Sequence, residues 1–129
     1  LRPTLEEALH ARHRRGKPVR IGLVGCGQMG TDILVQTSLM QGIAVVACCA
    51  TRPENVQAAV TMGGTPHKVR VVSTVSEASA AIRKGELAAI QGIETLCSIP
   101  EVDVVIDATG RPNAGAEVAV AAIAKAKHM

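Results

Sequence analysis

The 129 residues include no Phe, Tyr or Trp. Without aromatic rings there is no stacking platform for unpaired bases, which counts against a binder of single-stranded nucleic acid. The core has to be built from Val, Ile, Leu, Met and many Ala, each burying little area, so modest stability is expected. There is also no apolar run long enough to cross a bilayer, and the charged opening lacks the apolar stretch of a secretory signal. Cytoplasm is the expected compartment. The four cysteines, Cys26, Cys48, Cys49 and Cys97, form no C-x-x-C pair. Cys48 and Cys49 adjoin on an expected strand and point to opposite faces, so they are poorly placed to bond to each other. They read as reduced, small apolar residues.

The chain length suits one domain with one core. The net charge of +3 is unevenly spread: residues 1–20 hold six Arg/Lys against Glu6 and Glu7, which leaves residues 21–129 at −1. The basic excess sits in "HARHRRGKPVR" (10–20) and reads as a solvated helix face and linker, ahead of a contact for nucleic acid or an acidic partner. His10 and His13 are three apart without a Cys or carboxylate ligand beside them, so they read as exposed histidines rather than a metal site.

The sequence alternates between strand and helix signals. "TLEEALHARHRR" opens with Thr4 and Glu7 in capping-box spacing and Leu5 and Leu9 on one face, and Gly16 and Pro18 end it. A strand is predicted at about 19–24, followed by three glycines and a helix to about Met40, with Met29, Ile33 and Met40 near one stripe. "IAVVACCA" (43–50) is a continuous apolar run of strand length, as expected of a strand buried on both faces. These pieces make one βαβ unit. Further on, "RPENVQAAVTM" predicts a short helix closed by Gly63 and Gly64, "KVRVV" a short strand, "SEASAAIRKG" a helix, "ELAAI" a brief strand and "IETLCSIP" a helical turn. "VDVVIDATG" (102–110) is an apolar strand, and "PNAGAEVAVAAIAKA" is a helix with Lys125 and Lys127 at its end, favourable for the helix dipole. The pattern predicts an α/β, Rossmann-type parallel sheet with helices on both faces. Residues 1–18 are expected to form an N-terminal helix and linker ahead of this α/β domain, 19–129. The chain begins with Leu1 and stops after the helix that follows strand 102–107, where another parallel strand is expected, so the domain reads as incomplete.

Three glycines in six positions need a local reason, because glycine weakens strand and helix interiors. In the G-x-G-x-x-G of "VGCGQMG", Gly25 permits a tight turn, Gly27 lets a pyrophosphate reach the backbone and Gly30 lets the helix pack closely on the strand. The first-turn amides lack intrahelical acceptors and point at the phosphates, backed by the positive end of the dipole. An NAD site usually has an acid about twenty residues past the glycines, bonded to the ribose 2′-hydroxyl. Here that place is "CCATRPE", with no acid before Glu54, while Arg52 could pair with a 2′-phosphate and Thr51 could add a hydroxyl. NADP is the expected cofactor, with NAD as the alternative. Ala108, Thr109 and Gly110 end a parallel strand on the same carboxyl edge and let backbone run beside the cofactor. Asp107 reads as a turn-stabilising residue rather than a catalytic one. The candidate cofactor site is therefore Gly25, Cys26, Gly27, Gln28, Met29, Gly30, Thr51, Arg52, Ala108, Thr109 and Gly110, with Cys26 packing rather than reacting.

"RGKPVRIGLVGCGQMGTDI", "MQGIAVVACCATR" and "VDVVIDATGRPNAGAEVAVAAIAKAKH" together resemble the homoserine-dehydrogenase-like oxidoreductases that carry a C-terminal SAF domain. That family includes the enzymes called 1-deoxy-D-xylulose 5-phosphate reductoisomerase-like. The resemblance runs from about Thr4 to the end, is weakest over 53–75, and rests on "QMGTDI" and "IDATG" in particular. It implies an NADP-dependent oxidoreductase of which this is the N-terminal nucleotide-binding part. The phosphate-loop roles carry over to Gly25, Gly27 and Gly30, and the 2′-phosphate role to Arg52. The family often has two adjacent arginines where this chain has Thr51 and Arg52. Catalytic residues would lie beyond Met129, as would a divalent metal in the reductoisomerase-like branch. The expected function is hydride transfer to a small polar or phosphorylated substrate, homoserine or another hydroxy acid being the competing class. The alternative is a non-catalytic dinucleotide-binding or sensing module. A homo-oligomer of the full-length protein stays open.

Overall fold

The computed structural model describes residues 2–129. Strand β1 (Val19–Val24) leads through the glycine loop into helix α2 (Gln28–Ser38) and strand β2 (Ile43–Cys49). Helix α1 (Leu5–Arg14) precedes them. The chain continues through α3 (Glu54–Gly63), β3 (Val69–Val71), α4 (Val75–Arg83), β4 (Leu87–Ile90), α5 (Ile93–Cys97), β5 (Val104–Asp107) and α6 (Pro112–Ala124). The strands form one five-stranded sheet in the order β3-β4-β2-β1-β5, and every pairing is parallel. Parallel neighbours need crossover helices, and these cover both faces.

Two apolar clusters, one on each face, hold the layers together. One gathers Ile21, Leu23, Val45, Cys48 and Ala50 from the sheet with Leu34 of α2 and Val56, Ala59 and Val60 of α3. The other gathers Val24, Ala47, Cys49 and Val105 with Ala78 and Ala81 of α4, Leu96 and Cys97 of α5, and Val118 and Ala122 of α6. Each fully buried Leu, Ile or Val contributes about 1.5–3 kcal/mol relative to exposure. The many alanines contribute less and let the helices lie close to the sheet. Cys48 and Cys49 fall into opposite clusters, as their adjacency on a strand predicts.

β2 contains a bulge. Ile21 pairs with Val45 but Gly22 pairs with Ala47, so Val46 is an extra residue in the ladder. Val46 and Ala47 therefore both pack towards the α4–α6 side. Gly22, opposite the bulge, is closely covered: a β-carbon there would lie 2.9 Å from the Leu96 side chain of α5 and 3.0 Å from that of Val102.

Three local expectations change. The buried stripe of α2 is Gly30, Leu34 and Thr37, whereas Met29 and Met40 are exposed and Ile33 is half-buried. Gly30 has to face the sheet, and it sets the rotation of the whole helix at i, i+4 and i+7. Leu5 of α1 is likewise exposed, and no residue of that helix is buried. The helix rests instead on backbone, with the Leu9 carbonyl directly against Gly42. The predicted capping box of α1 is present, with Glu7 N donating to Thr4 Oγ1 at 3.1 Å and Thr4 N donating to Glu7 Oε2 at 2.9 Å. The last strand begins at Val104 rather than residue 102, because Val102 N donates to the Ile99 carbonyl at 3.1 Å and so belongs to the turn after α5.

Candidate functional site

β1 is flanked by β2 on one side and β5 on the other, so the chain reverses its direction of progress across the sheet at β1. In open α/β folds ligands bind at such a reversal, outside the carboxyl ends of the strands. A cleft of about 440 Å³ lies there. Gly25, Cys26 and Gly27 line it from the loop after β1, Gln28 and Met29 from the first turn of α2, Thr51 from just past β2, and Ala108, Thr109 and Gly110 from just past β5. Two predicted residues do not line it: Gly30, which lies beneath the loop, and Arg52, which stands exposed just past Thr51.

Each glycine of the loop has a distinct structural reason. Gly25 has φ +100°, and a β-carbon on it would lie 3.0 Å from the Ala108 carbonyl group. Its amide donates to the Cys49 carbonyl at 2.8 Å, while Ala108 N donates to the Val24 carbonyl at 2.8 Å, so the loop is fixed to both neighbouring strands. A β-carbon on Gly30 would run into the Gly25 carbonyl, so only glycine lets α2 begin this close to the turn. Gly27 differs: nothing lies within 4 Å of its notional β-carbon, which would project into open space. No side chain caps α2, whose N-cap is Gly27 itself. The first amides of the helix are left without intrahelical acceptors, and the positive end of the helix dipole lies behind them. Bare backbone, unpaired donors and open space together fit a diphosphate.

The remaining lining separates structure from chemistry. Asp107 accepts the Thr109 amide at 3.0 Å and the Thr109 hydroxyl at 2.7 Å. Its Oδ1 thus holds the turn, as its place before "ATG" suggests. Cys26 packs against the α2–α3 cluster, and burial raises its thiol pKa. Burial, reinforced by Cys97, Glu117 and Cys26 nearby, pushes the Cys49 thiol up to about 12, so it stays protonated at neutral pH. Among the described residues the cleft lining includes no Asp, Glu, Lys or His, and no group of three or more His, Cys, Asp or Glu is placed to hold a metal ion.

Sequence reasoning missed Asn55, Gln91 and Arg111, which also line the cleft. Gln91 follows β4 and donates from Nε2 to the Thr51 carbonyl at 3.1 Å, while Cys49 Sγ donates to the Gln91 carbonyl at 3.1 Å. These bonds tie the ends of β2 and β4 together. The signal for Gln91 and Arg111 was available: each closely follows a predicted strand on the carboxyl edge. Asn55 is legible only from the fold, because the first turn of α3 has to swing over the cleft.

The site and topology define a Rossmann-like α/β domain. No protein-family description matches the chain, and neither does any curated protein. Solved structures do match. The chain superposes on KijD10, a 3-ketoreductase from Actinomadura kijaniata crystallised as a point mutant with TDP-benzene and NADP. The TM-score is 0.60 and the identity 17%, over 87% of this chain and 29% of that one. It also superposes on an NAD-binding oxidoreductase from Klebsiella pneumoniae, with TM-score 0.57 and 21% identity over 86% of this chain and 26% of the other. The chain thus spans under a third of the length of either protein. What is shared at these identities is the fold. No helix among the described residues is long and apolar enough to cross a membrane.

Proposed function

We propose that this chain is the nucleotide-binding part of an NADP(H)-dependent oxidoreductase that acts on a small polar or phosphorylated substrate. One observation carries the reading: Gly27 presents bare backbone to open space at the carboxyl rim, above a helix whose first amides no side chain caps. The solved neighbours, one complexed with NADP and one described as NAD-binding, support the cofactor class. The phosphate loop, Gly25 to Gly30, holds the diphosphate. Thr51, with Arg52 beyond it, faces the ribose bearing the 2′-phosphate. Ala108 to Gly110 lie beside the nicotinamide half. When bound, the cofactor supplies hydride transfer. This chain's own residues bind and orient it, because the lining offers no group suited to proton transfer near neutral pH. Acid–base groups would come from a substrate domain. The narrower placing among homoserine-dehydrogenase-like or reductoisomerase-like enzymes rests on the "QMGTDI" and "IDATG" segments. The same lack of proton-transfer groups favours a second reading, a dinucleotide-binding or sensing module without catalysis.

Calorimetric titration with NADPH, NADH and ADP tests the proposal. Saturable binding of NADPH, tighter than that of NADH, is the expected result. No binding of any of the three to the folded chain would remove the nucleotide reading.

A further inference from the structure

Arg111 is the one charged residue among those lining the cleft in the described chain, and it is exposed there. It follows Gly110, whose φ of +68° turns the chain from β5 towards α6. The arginines of the sheet and of α4 are matched: Arg20 with Asp103, Arg70 with Glu86 and Arg83 with Glu101. Arg111 takes part in no ion pair among the described residues. The carboxylate nearest in sequence, Asp107, is held by Thr109 and does not serve as its counter-ion. An exposed arginine outside every ion pair of the described residues therefore stands at the β5 side of the cleft.

The strand order gives that charge a position along the ligand. The phosphate loop follows the middle strand β1, with the ends of β2 and β5 on either side. Neighbouring strands lie about 4.8 Å apart, so the two flanks are separated by roughly 10 Å, and one extended ligand can reach both. If the adenosine half turns to Thr51 on β2, as proposed above, the nicotinamide half and the substrate meet at β5. We infer that Arg111 recognises an oxyanion, a carboxylate or phosphate group, on the substrate that enters the cleft beside the nucleotide. A guanidinium presents two parallel N–H groups to such a group and stays charged at any working pH. A neutral substrate would offer that charge no counter-ion, so the residue also favours charged substrates over uncharged analogues. This assignment rests on the nucleotide reading for its orientation.

The test follows the Arg111 side-chain Nε–H resonance in the 15N-labelled chain, assigned by comparison with Arg111→Gln. Inorganic phosphate and acetate are titrated at constant ionic strength against chloride, with and without saturating NADPH. Saturable movement of that resonance is expected with both anions. Phosphate affinity, read in every variant from the Thr109 and Gly110 backbone amides, should fall about tenfold or more in Arg111→Gln and partly recover in Arg111→Lys. NADPH and ADP affinities should change by less than about twofold, because neutral contacts flank the phosphate loop. An unmoved resonance, or unchanged phosphate affinity in the Gln variant, overturns the assignment. A tenfold loss of ADP and NADPH affinity overturns it too, because it gives the guanidinium to the cofactor's own diphosphate. Should NADPH fail to bind, the nucleotide reading falls separately, and the phosphate arm on the free chain still decides for Arg111.

Discussion

Gly30 lies directly beneath the Gly25 carbonyl, so that a β-carbon on Gly30 would overlap that oxygen. Gly27, three residues earlier on the same loop, faces nothing within 4 Å of its notional β-carbon. The two glycines therefore respond to substitution in opposite ways. Gly30→Ala forces backbone apart in a close-packed place and is expected to cost about 1–3 kcal/mol of stability in urea denaturation. Gly27→Ala is expected to leave stability within about 0.5 kcal/mol. Yet its methyl group occupies the space a diphosphate would take, so NADPH affinity should drop about tenfold or more. Equal stability losses in the two variants would contradict this account of the loop.

Arg52 gives a prediction about cofactor choice. It is exposed just past Thr51, where a 2′-phosphate would lie if adenosine turns towards β2. Arg52→Ala should weaken NADPH binding about tenfold and leave NADH within about twofold, since a charge-assisted pair is lost for one ligand alone. Calorimetry with both nucleotides checks it. A parallel loss for the two would show that Arg52 does not read the phosphate.

Asp107 is predicted to act on the turn and not on the reaction. Asp107→Asn keeps an oxygen for the Thr109 amide and should retain both fold and NADPH affinity. Asp107→Ala removes the acceptor of two hydrogen bonds and should cost about 1–2 kcal/mol. Loss of nucleotide binding in a normally stable Asn variant would instead assign the carboxylate a role at the ligand.

At the opposite rim of the sheet, Arg20 donates to Asp103 from its backbone amide at 2.9 Å and from Nε at 3.3 Å. Burial alone would raise the Asp103 pKa, but the bonds from the Arg20 amide and guanidinium, with the Arg20 and Arg12 charges, outweigh it and hold it below the ordinary aspartate value. A carboxyl whose folded pKa is depressed contributes stability above its unfolded pKa and loses it as pH falls through the folded value. Urea denaturation should therefore show a stability deficit for Asp103→Asn at pH 7 that narrows below about pH 4. A deficit independent of pH would mean that the variant acts through packing.

Much of this was readable in the residues, because the strong local signals agree with one another. The run 19–24, the three glycines and the capping box of α1 each specify a conformation within a few positions. What could not be read depends on tertiary contact. Met29, Ile33 and Met40 satisfy helical periodicity as well as Gly30, Leu34 and Thr37 do, and only the close approach at Gly30 chooses between the two stripes. Leu5 carries the right spacing on α1, but no apolar face of the sheet lies opposite it. Asn55 joins the cleft because the first turn of α3 lies at the carboxyl rim, a relation that spacing along the chain does not carry.

The bulge at Val46 has a consequence for how the sequence can change in length. Parallel β2 carries one residue beyond what its ladder with β1 requires, and the surplus is spent at a single place. Removing Val46 would leave an unbroken one-to-one pairing, with Ile43 and Cys48 each keeping its side of the sheet. Losing a residue from the strand's upper half with the bulge kept would instead invert every side chain from the break to Cys49. β2 thus has one tolerant joint, set below the rim, and a carboxyl half whose count of residues is fixed.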